Sequence, residues 1–189
     1  MQDKPLTGKN IAIMVANGFD EIEFVEPQKK LLGAGATVKA VSRANGLVNG
    51  WYDGSWGHFF PVDADLADTL AVDYDGLVVP GGVRGVEKLA EDPHGQRIVK
   101  AFLRAGMPVA LIGDAVSLLV TVEDAKGRTV TSSADAREAL EAAGASWEET
   151  ASVTEGNLVT ANGSEGIADL VQSFSELVAA YDSEVTEAA

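Results

Sequence analysis

The chain has 189 residues, of which 46% are hydrophobic, and carries a formal net charge of −15 at pH 7. This length suits one globular domain, and the acidic balance excludes the basic face that nucleic-acid binding needs. No apolar run approaches the roughly 20 residues that span a bilayer, and the first residues lack a secretory signal, so we expect a cytoplasmic protein with no membrane partner.

The sequence contains no cysteine. Disulfides, thiolate metal sites and thiol catalysis are therefore excluded together. The acidic composition is typical of a highly soluble protein and also of a protein adapted to high salt, and both interpretations stay open.

The first predicted elements are a strand, a helix and a second strand. Asp20 is a predicted N-cap, with Glu23 three residues later as in a capping box, for a helix that ends near Leu32 before two glycines. The flanking strands are predicted at 10–16 and 37–42.

The stretch 43–62 predicts a small antiparallel excursion, because it contains the turn pairs Asn49–Gly50 and Asp53–Gly54. It includes His58 and the densest aromatic cluster of the chain. Such a cluster is either the buried seam of a hairpin or an exposed patch that meets another subunit. The cluster consists of Trp51, Tyr52, Trp56, Phe59 and Phe60.

The rest of the chain continues to alternate strands and helices, after a loop or short helical turn at 63–71. We expect one domain over 1–181 and an acidic, frayed tail over 182–189. Strands are predicted at 74–80, 120–122, 129–131, 147–154 and 158–160, and helices from Asp92 or Pro93 to Arg104, from Ser133 or Ala134 to Ala143, and from Ile167 to Tyr181.

The central feature is an apolar strand at 108–112 that breaks at Gly113, Asp114 and Ala115, after which a helix is predicted. This is a strand-turn-helix elbow. In an open α/β sheet, ligands bind at the carboxyl ends of such strands. The full pattern predicts an α/β, flavodoxin-like three-layer sandwich with a mostly parallel sheet and a small antiparallel excursion.

Three motifs together resemble the ThiJ/PfpI superfamily, whose fold is similar to the class I glutamine amidotransferase domain. They are the segment 18–23, the segment 77–82 and the elbow. The resemblance implies that Glu23 occupies the position of a glutamate that assists a nucleophilic cysteine. It also implies that the backbone amides of Gly81 and Gly82 form an oxyanion site.

The elbow departs from the pattern of this superfamily. Gly113 stands at the cysteine position, and Ser133 stands where some members carry histidine. The segment 110–115 is more similar to the C-terminal domain of large-subunit catalases, which is not known as a catalytic centre. The chain has no haem-binding catalase portion, so catalase activity is not implied.

Two functions follow from this resemblance. The first is a pseudoenzyme: a non-hydrolytic binding or stress-associated protein with a small-molecule ligand. The alternative is an enzyme that uses Glu23 and Asp114 as acid/base groups on a small carbonyl or amide substrate. The candidate ligand-binding residues are Glu23, Gly81, Gly82, Gly113, Asp114 and Ser133.

Both carboxylates also have structural interpretations. Asp114 is favoured as a cap of the helix after the elbow, and Glu23 is either the N3 residue of its capping box or a crevice group. We expect no cofactor and no metal, since His58 and His94 lie too far apart in sequence for a zinc motif. Relatives of this fold commonly form dimers or hexamers, so we favour the aromatic cluster as a subunit contact in a homo-oligomer.

Overall fold

The computed structural model describes residues 4–182. The strands are β1 Asn10–Met14, β2 Phe19–Asp20, β3 Thr37–Ser42, β4 Leu47–Tyr52, β5 Ser55–Pro61, β6 Ala64–Asp65, β7 Gly76–Val79, β8 Val109–Ile112, β9 Thr129–Val130, β10 Ser146–Trp147, β11 Ser152–Glu155 and β12 Leu158–Ala161. The α-helices are α1 Glu21–Gly33, α2 Val83–Glu91, α3 Pro93–Arg104, α4 Leu118–Thr121, α5 Arg137–Ala142 and α6 Ile167–Ala180.

The central sheet has seven strands in the order β11-β12-β8-β7-β1-β3-β6. Every neighbouring pair in it is parallel except β11 and β12. A small second sheet joins β2 to the antiparallel hairpin β4–β5, and β9 pairs with β10. The predicted mostly parallel sheet with a small antiparallel excursion is confirmed.

Alternate side chains of the central strands enter two separate apolar clusters. Ala12 and Leu77 belong to the cluster that α2, α3, α4 and α5 cover, whereas Ile13 and Val78 belong to the cluster that α1 and α6 cover. Side chains of a strand alternate between the faces of its sheet, so the two clusters are the two interfaces of a three-layer sandwich.

Helix α2 was not predicted from the sequence. Its apolar residues recur at helical spacing, but its N-cap is Gly82 and Gly85 lies within its first turn, and both glycines disfavour a helix prediction. Gly85 is needed because a Cβ there would lie 2.9 Å from the Ala16 carbonyl oxygen and from the Phe19 nitrogen. A close backbone approach, rather than helix propensity, therefore accounts for the glycine at position 85.

Three further predictions need correction. Residues 120–122, predicted as a strand, lie at the end of α4, and the single strand predicted at 147–154 is divided between β10 and β11. The pair Asn49–Gly50 is not a turn, because it lies within β4 at a β-bulge, whereas Asp53–Gly54 forms the hairpin turn.

The remaining predicted helices lie where expected, with α5 preceded by a 3₁₀ turn at Ala134–Ala136. Residues 183–189 of the predicted acidic tail lie outside the described residues. Within residues 4–182, no helix is both long and apolar enough to cross a membrane.

Candidate functional site

Three backbone segments meet at the carboxyl ends of the central strands. Gly81 follows β7, Gly113 follows β8, and Glu23 lies in the first turn of α1. A Cβ placed on Gly81 would lie 2.9 Å from Glu23 Oε1, and one placed on Gly113 would lie 2.8 Å from the same atom. The structure therefore brings the three predicted residues together around one carboxyl oxygen.

The elbow has the predicted geometry. Gly113 has φ +59°, in the left-handed region that favours glycine, and begins a 3₁₀ turn at Gly113–Ser117 that leads into α4. The Gly113 carbonyl oxygen accepts a hydrogen bond from the Ser133 backbone N–H at 3.2 Å. The apex of the elbow thus carries no side chain, and its position is fixed by the loop that contains Ser133.

Glu23 is the most perturbed titratable group of the described chain. Its residue is 6% exposed, and its Oε1 is buried without a hydrogen-bond partner. Burial and, to a smaller extent, the negative charges of Asp20 and Asp114 together raise the pKa of Glu23 to about 8, although a backbone hydrogen bond from Gly81 acts in the opposite direction. The carboxyl is therefore neutral at pH 7 and can donate a hydrogen bond.

The capping-box interpretation of Glu23 is half correct. The Asp20 carboxylate accepts from the Glu23 backbone N–H at 3.1 Å, which confirms Asp20 as the N-cap of α1. The reciprocal bond is absent, because the Asp20 N–H donates to the Gly81 carbonyl oxygen at 2.9 Å instead. The Glu23 side chain is thereby left to face the crevice.

The favoured interpretation of Asp114 as a helix cap is wrong. No side chain caps the turn after β8, and Asp114 lies inside that turn. Its Oδ1 accepts a hydrogen bond from the Ser133 hydroxyl at 2.7 Å, and its carbonyl oxygen accepts one from the Ser117 hydroxyl at 2.7 Å. Asp114 and Ser133 are thus hydrogen-bonded partners at the elbow, a contact that the sequence did not predict.

Gly81 and Gly82 do not have the predicted role of an oxyanion site. The Gly81 amide is directed to the Glu23 carboxyl. Gly82 has φ +99°, and a Cβ there would lie 2.6 Å from the Asp20 nitrogen and 2.7 Å from the Gly18 carbonyl oxygen. These glycines allow α1 and the turn after β7 to approach closely, which creates the enclosure around Glu23.

A cavity of about 220 Å³ lies beside the elbow and is called the elbow cavity below. Asp114 and Ser117 form its polar side at the elbow, and Glu87 and Asp135 add carboxylates from α2 and the turn before α5. The cavity is small relative to the roughly 300–1,000 Å³ typical of ligand pockets, so it suits a small molecule. The apolar lining consists of Val83, Val86, Ala136 and Ala139.

The sequence interpretation missed a second buried carboxylate. Glu21 is 5% exposed, and its Oε2 lies 2.9 Å from His58 Nδ1, while its Oε1 accepts from the His58 backbone N–H. A Cβ on Gly50 or Gly57 would lie 2.3 Å or 2.0 Å from Glu21 atoms. One indication of this contact is present in the sequence: Gly50 and Gly57 lie within β4 and β5, where a glycine marks a close approach by another group.

The histidines do not converge on a common site. His58 contacts Glu21 on the hairpin, and the His94 backbone N–H donates to Asp92, the N-cap of α3. Among residues 4–182 there is no group of three or more histidine, aspartate or glutamate side chains that could hold a metal ion.

The aromatic cluster divides between the two interpretations. Phe60 packs on Phe19 and Phe24, with ring centroids 5.5 and 5.2 Å away, so it belongs to the buried seam. Trp56 is 51% exposed and Phe59 is 63% exposed. The hairpin is therefore anchored by one aromatic face and presents the other to solvent.

The sequence model of the DJ-1/PfpI family matches residues 9–177. An uncharacterised protein of Archaeoglobus fulgidus is 34% identical over 150 residues, covering 79% of this chain and 86% of that protein. An uncharacterised protein of Staphylococcus aureus is 34% identical over 155 residues, covering 80% and 88%.

Solved structures show the same fold. A ThiJ/PfpI domain protein of Brachyspira murdochii has a TM-score of 0.84 at 25% identity and covers 94% of this chain and 99% of its own. A DJ-1 superfamily protein of Salmonella typhimurium has a TM-score of 0.81 at 25% identity, with 96% of each chain covered. DJ-1 of Schizosaccharomyces pombe, at 22% identity and a TM-score of 0.79, covers 95% of each chain.

Replacing Glu23 with Gln is expected to remove a pH dependence of stability. The pKa of about 8 in the folded state lies above the ordinary 4.5, so folding takes up a proton between these values. This stabilisation is complete below pH 4.5, declines as the pH rises towards 8, and is absent above that. Each pKa unit corresponds to about 1.4 kcal/mol, so the wild type should lose a few kcal/mol relative to Glu23→Gln across this range.

Urea unfolding of both proteins at intervals from pH 4.5 to 9 measures this difference. Glu26→Gln is the matched control, because Glu26 is exposed on the same helix. A wild-type minus Glu23→Gln difference that stays constant over the whole range would contradict the neutral carboxyl.

Proposed function

The chain belongs to the DJ-1/PfpI family, as its motifs predicted, and we propose that it is a member without a nucleophile that binds a small molecule and does not hydrolyse it. One observation supports this most strongly. Gly113 occupies the elbow apex and has no side chain. A Cβ added at this position would lie 2.8 Å from Glu23 Oε1, so the Glu23 carboxyl occupies the space that a side chain would need.

The hydroxyl groups near the elbow do not replace the missing thiol. Ser117 and Ser133 both donate to oxygens of Asp114 at 2.7 Å. Nucleophilic catalysis by serine requires a base that takes up the hydroxyl proton, usually a histidine oriented by a third group. The His58 ring contacts Glu21 on α1, and His94 lies at the start of α3, so neither histidine is hydrogen-bonded to these hydroxyl groups.

The chemistry of the crevice favours a small, uncharged carbonyl or amide compound. The Asp114 carboxylate lines the elbow cavity and offers an acceptor, and a neutral Glu23, which is not itself a lining residue, offers a hydrogen-bond donor beside Gly113. An amide N–H donates to the first group and a carbonyl oxygen accepts from the second. The valine and alanine walls of the elbow cavity suit a short apolar body.

A second candidate function has a specific observation in its favour. The charge of Asp114 contributes to the raised pKa of Glu23. A general acid works best when its pKa is close to the working pH, and a pKa of about 8 meets this condition near neutral pH. Glu23 would then donate a proton and Asp114 would accept one, on the same class of carbonyl or amide substrate. This is the enzyme alternative with a non-thiol mechanism.

Binding of small amides is expected to depend on the protonation of Glu23. Saturation-transfer NMR with acetamide and butanamide should show binding by the wild type that weakens as the pH rises through about 8, the pKa of Glu23. Glu23→Gln keeps a donor at this position, so its binding should be independent of pH. Equal pH profiles for wild type and Glu23→Gln, or no binding by either, would contradict the proposed ligand site.

The same NMR samples distinguish the two functions. A binding protein leaves the amides intact, whereas an enzyme releases the free acid and ammonia. Turnover by the wild type that is abolished in both Glu23→Gln and Asp114→Asn establishes the alternative and refutes the binding-only proposal.

We also propose that the exposed aromatic face of the hairpin contacts a second copy of this chain. Exposed aromatic residues are enriched at protein interfaces. Trp56 and Phe59 are accompanied by further exposed apolar side chains on the hairpin and α1: Leu47, Tyr52, Ile22 and Val25. Our proposal for the function of the protein also includes a stress-associated role and a cytoplasmic location.

The homo-oligomer is expected to dissociate when the aromatic face is made acidic. Light scattering should give a multiple of 19.7 kDa for the wild type and the monomer mass for the double variant Trp56→Asp and Phe59→Asp. Val72→Asp, at a residue 76% exposed outside the hairpin, is the control and should remain oligomeric. A wild type that is monomeric at all concentrations would refute the interface.

A further inference from the structure

A second cavity, of about 240 Å³, lies at the carboxyl ends of β1 and β3. It is called the β1–β3 cavity below and shares no lining residue with the Glu23 site. Val15, Leu66 and Leu89 give it an apolar floor, and all three are buried. Its polar rim consists of Asn17, Ser42, Arg43, Lys88 and Asp92.

Two cations converge on this cavity in a chain of net charge −15. Arg43 Nη1 lies 3.5 Å from Asp92 Oδ2 and its Nε lies 3.7 Å from Asp65 Oδ1. Charge-assisted hydrogen bonds are about 2.7–2.9 Å long, so neither pair is hydrogen-bonded. Arg43 is therefore ion-paired with Asp92 and Asp65 but hydrogen-bonded to neither within residues 4–182, so its guanidinium N–H groups can still donate to an acceptor.

The other donors on the rim are also available. Lys88 Nζ lies 5.8 Å from the centroid of the Trp56 ring and has no ion pair within the described part of the chain. The side-chain oxygen of Asn17 accepts from the Asn49 N–H at 2.8 Å, and its amide nitrogen has no acceptor among these residues. Three side chains thus present unused N–H groups around one apolar floor.

We propose that the β1–β3 cavity binds a small monocarboxylate with a short aliphatic body. The planar fork of Arg43 matches the two oxygens of a carboxylate, and Lys88 adds a second positive charge. The apolar floor accommodates the hydrocarbon part. Asp92 at the rim repels a second negative charge, which favours a monocarboxylate over a phosphate dianion.

The test is a titration of the full chain, followed by ¹⁵N NMR at pH 7, with butanoate, butanamide and inorganic phosphate as probes. Butanoate should shift the backbone amides of Asn17, Ser42 and Arg43, whereas butanamide and phosphate should not. Arg43→Gln should weaken butanoate binding at least about 10-fold, because it removes a hydrogen bond between charged groups.

Two variants separate recognition from folding. Arg104→Gln, which removes an exposed charge from α3, should bind butanoate like the wild type. Asp92→Asn keeps an N-cap for α3 but removes the repelling charge, so butanoate should bind more tightly. The proposal would be overturned if butanamide shifted the amides of Asn17, Ser42 and Arg43 with the same affinity as butanoate, or if phosphate bound more tightly at these amides. Equal losses in Arg43→Gln and Arg104→Gln, or no shift at millimolar butanoate, would also overturn it.

Discussion

The buried carboxyl of Glu23 is the constraint on which the candidate site depends. A Cβ at Gly81 or Gly113 would lie 2.9 or 2.8 Å from its Oε1, so a side chain at either position would require the Glu23 carboxyl to move. Glycine leaves the carboxyl in place, and at Gly113 it also adopts the left-handed backbone at little cost. Because burial and two neighbouring carboxylates disfavour its charge, the group is held as a neutral donor rather than an ion.

A second buried carboxylate fixes the hairpin relative to the same helix. Glu21 lies two residues before Glu23 and accepts two hydrogen bonds from His58 across the space left by Gly50 and Gly57. The two acidic residues in the first turn of α1 therefore have different roles: Glu21 holds the hairpin in place, and Glu23 faces the crevice. An acidic first turn is also favourable for the helix itself, since its N-terminus carries a partial positive charge.

Much of the fold could be predicted from the sequence because buried parallel strands are continuous apolar runs and Asp20 is a local cap. The elbow and the residues around it could be predicted from the same local signals together with the family resemblance. What could not be predicted depends on tertiary contacts. Gly50 was predicted as a turn residue, because the Glu21 side chain that needs the space beside it is distant in sequence. Likewise, the Asp114 side chain bonds to Ser133, which lies 19 residues later.

The most direct test of this account is a pH titration of the Glu23 side-chain carboxyl carbon by ¹³C NMR. We expect the Glu23 carboxyl to stay protonated through neutral pH and to titrate near 8. A midpoint near the ordinary value of 4.5 would show a charged group at the elbow. The crevice would then lack the neutral donor on which both proposed functions rest.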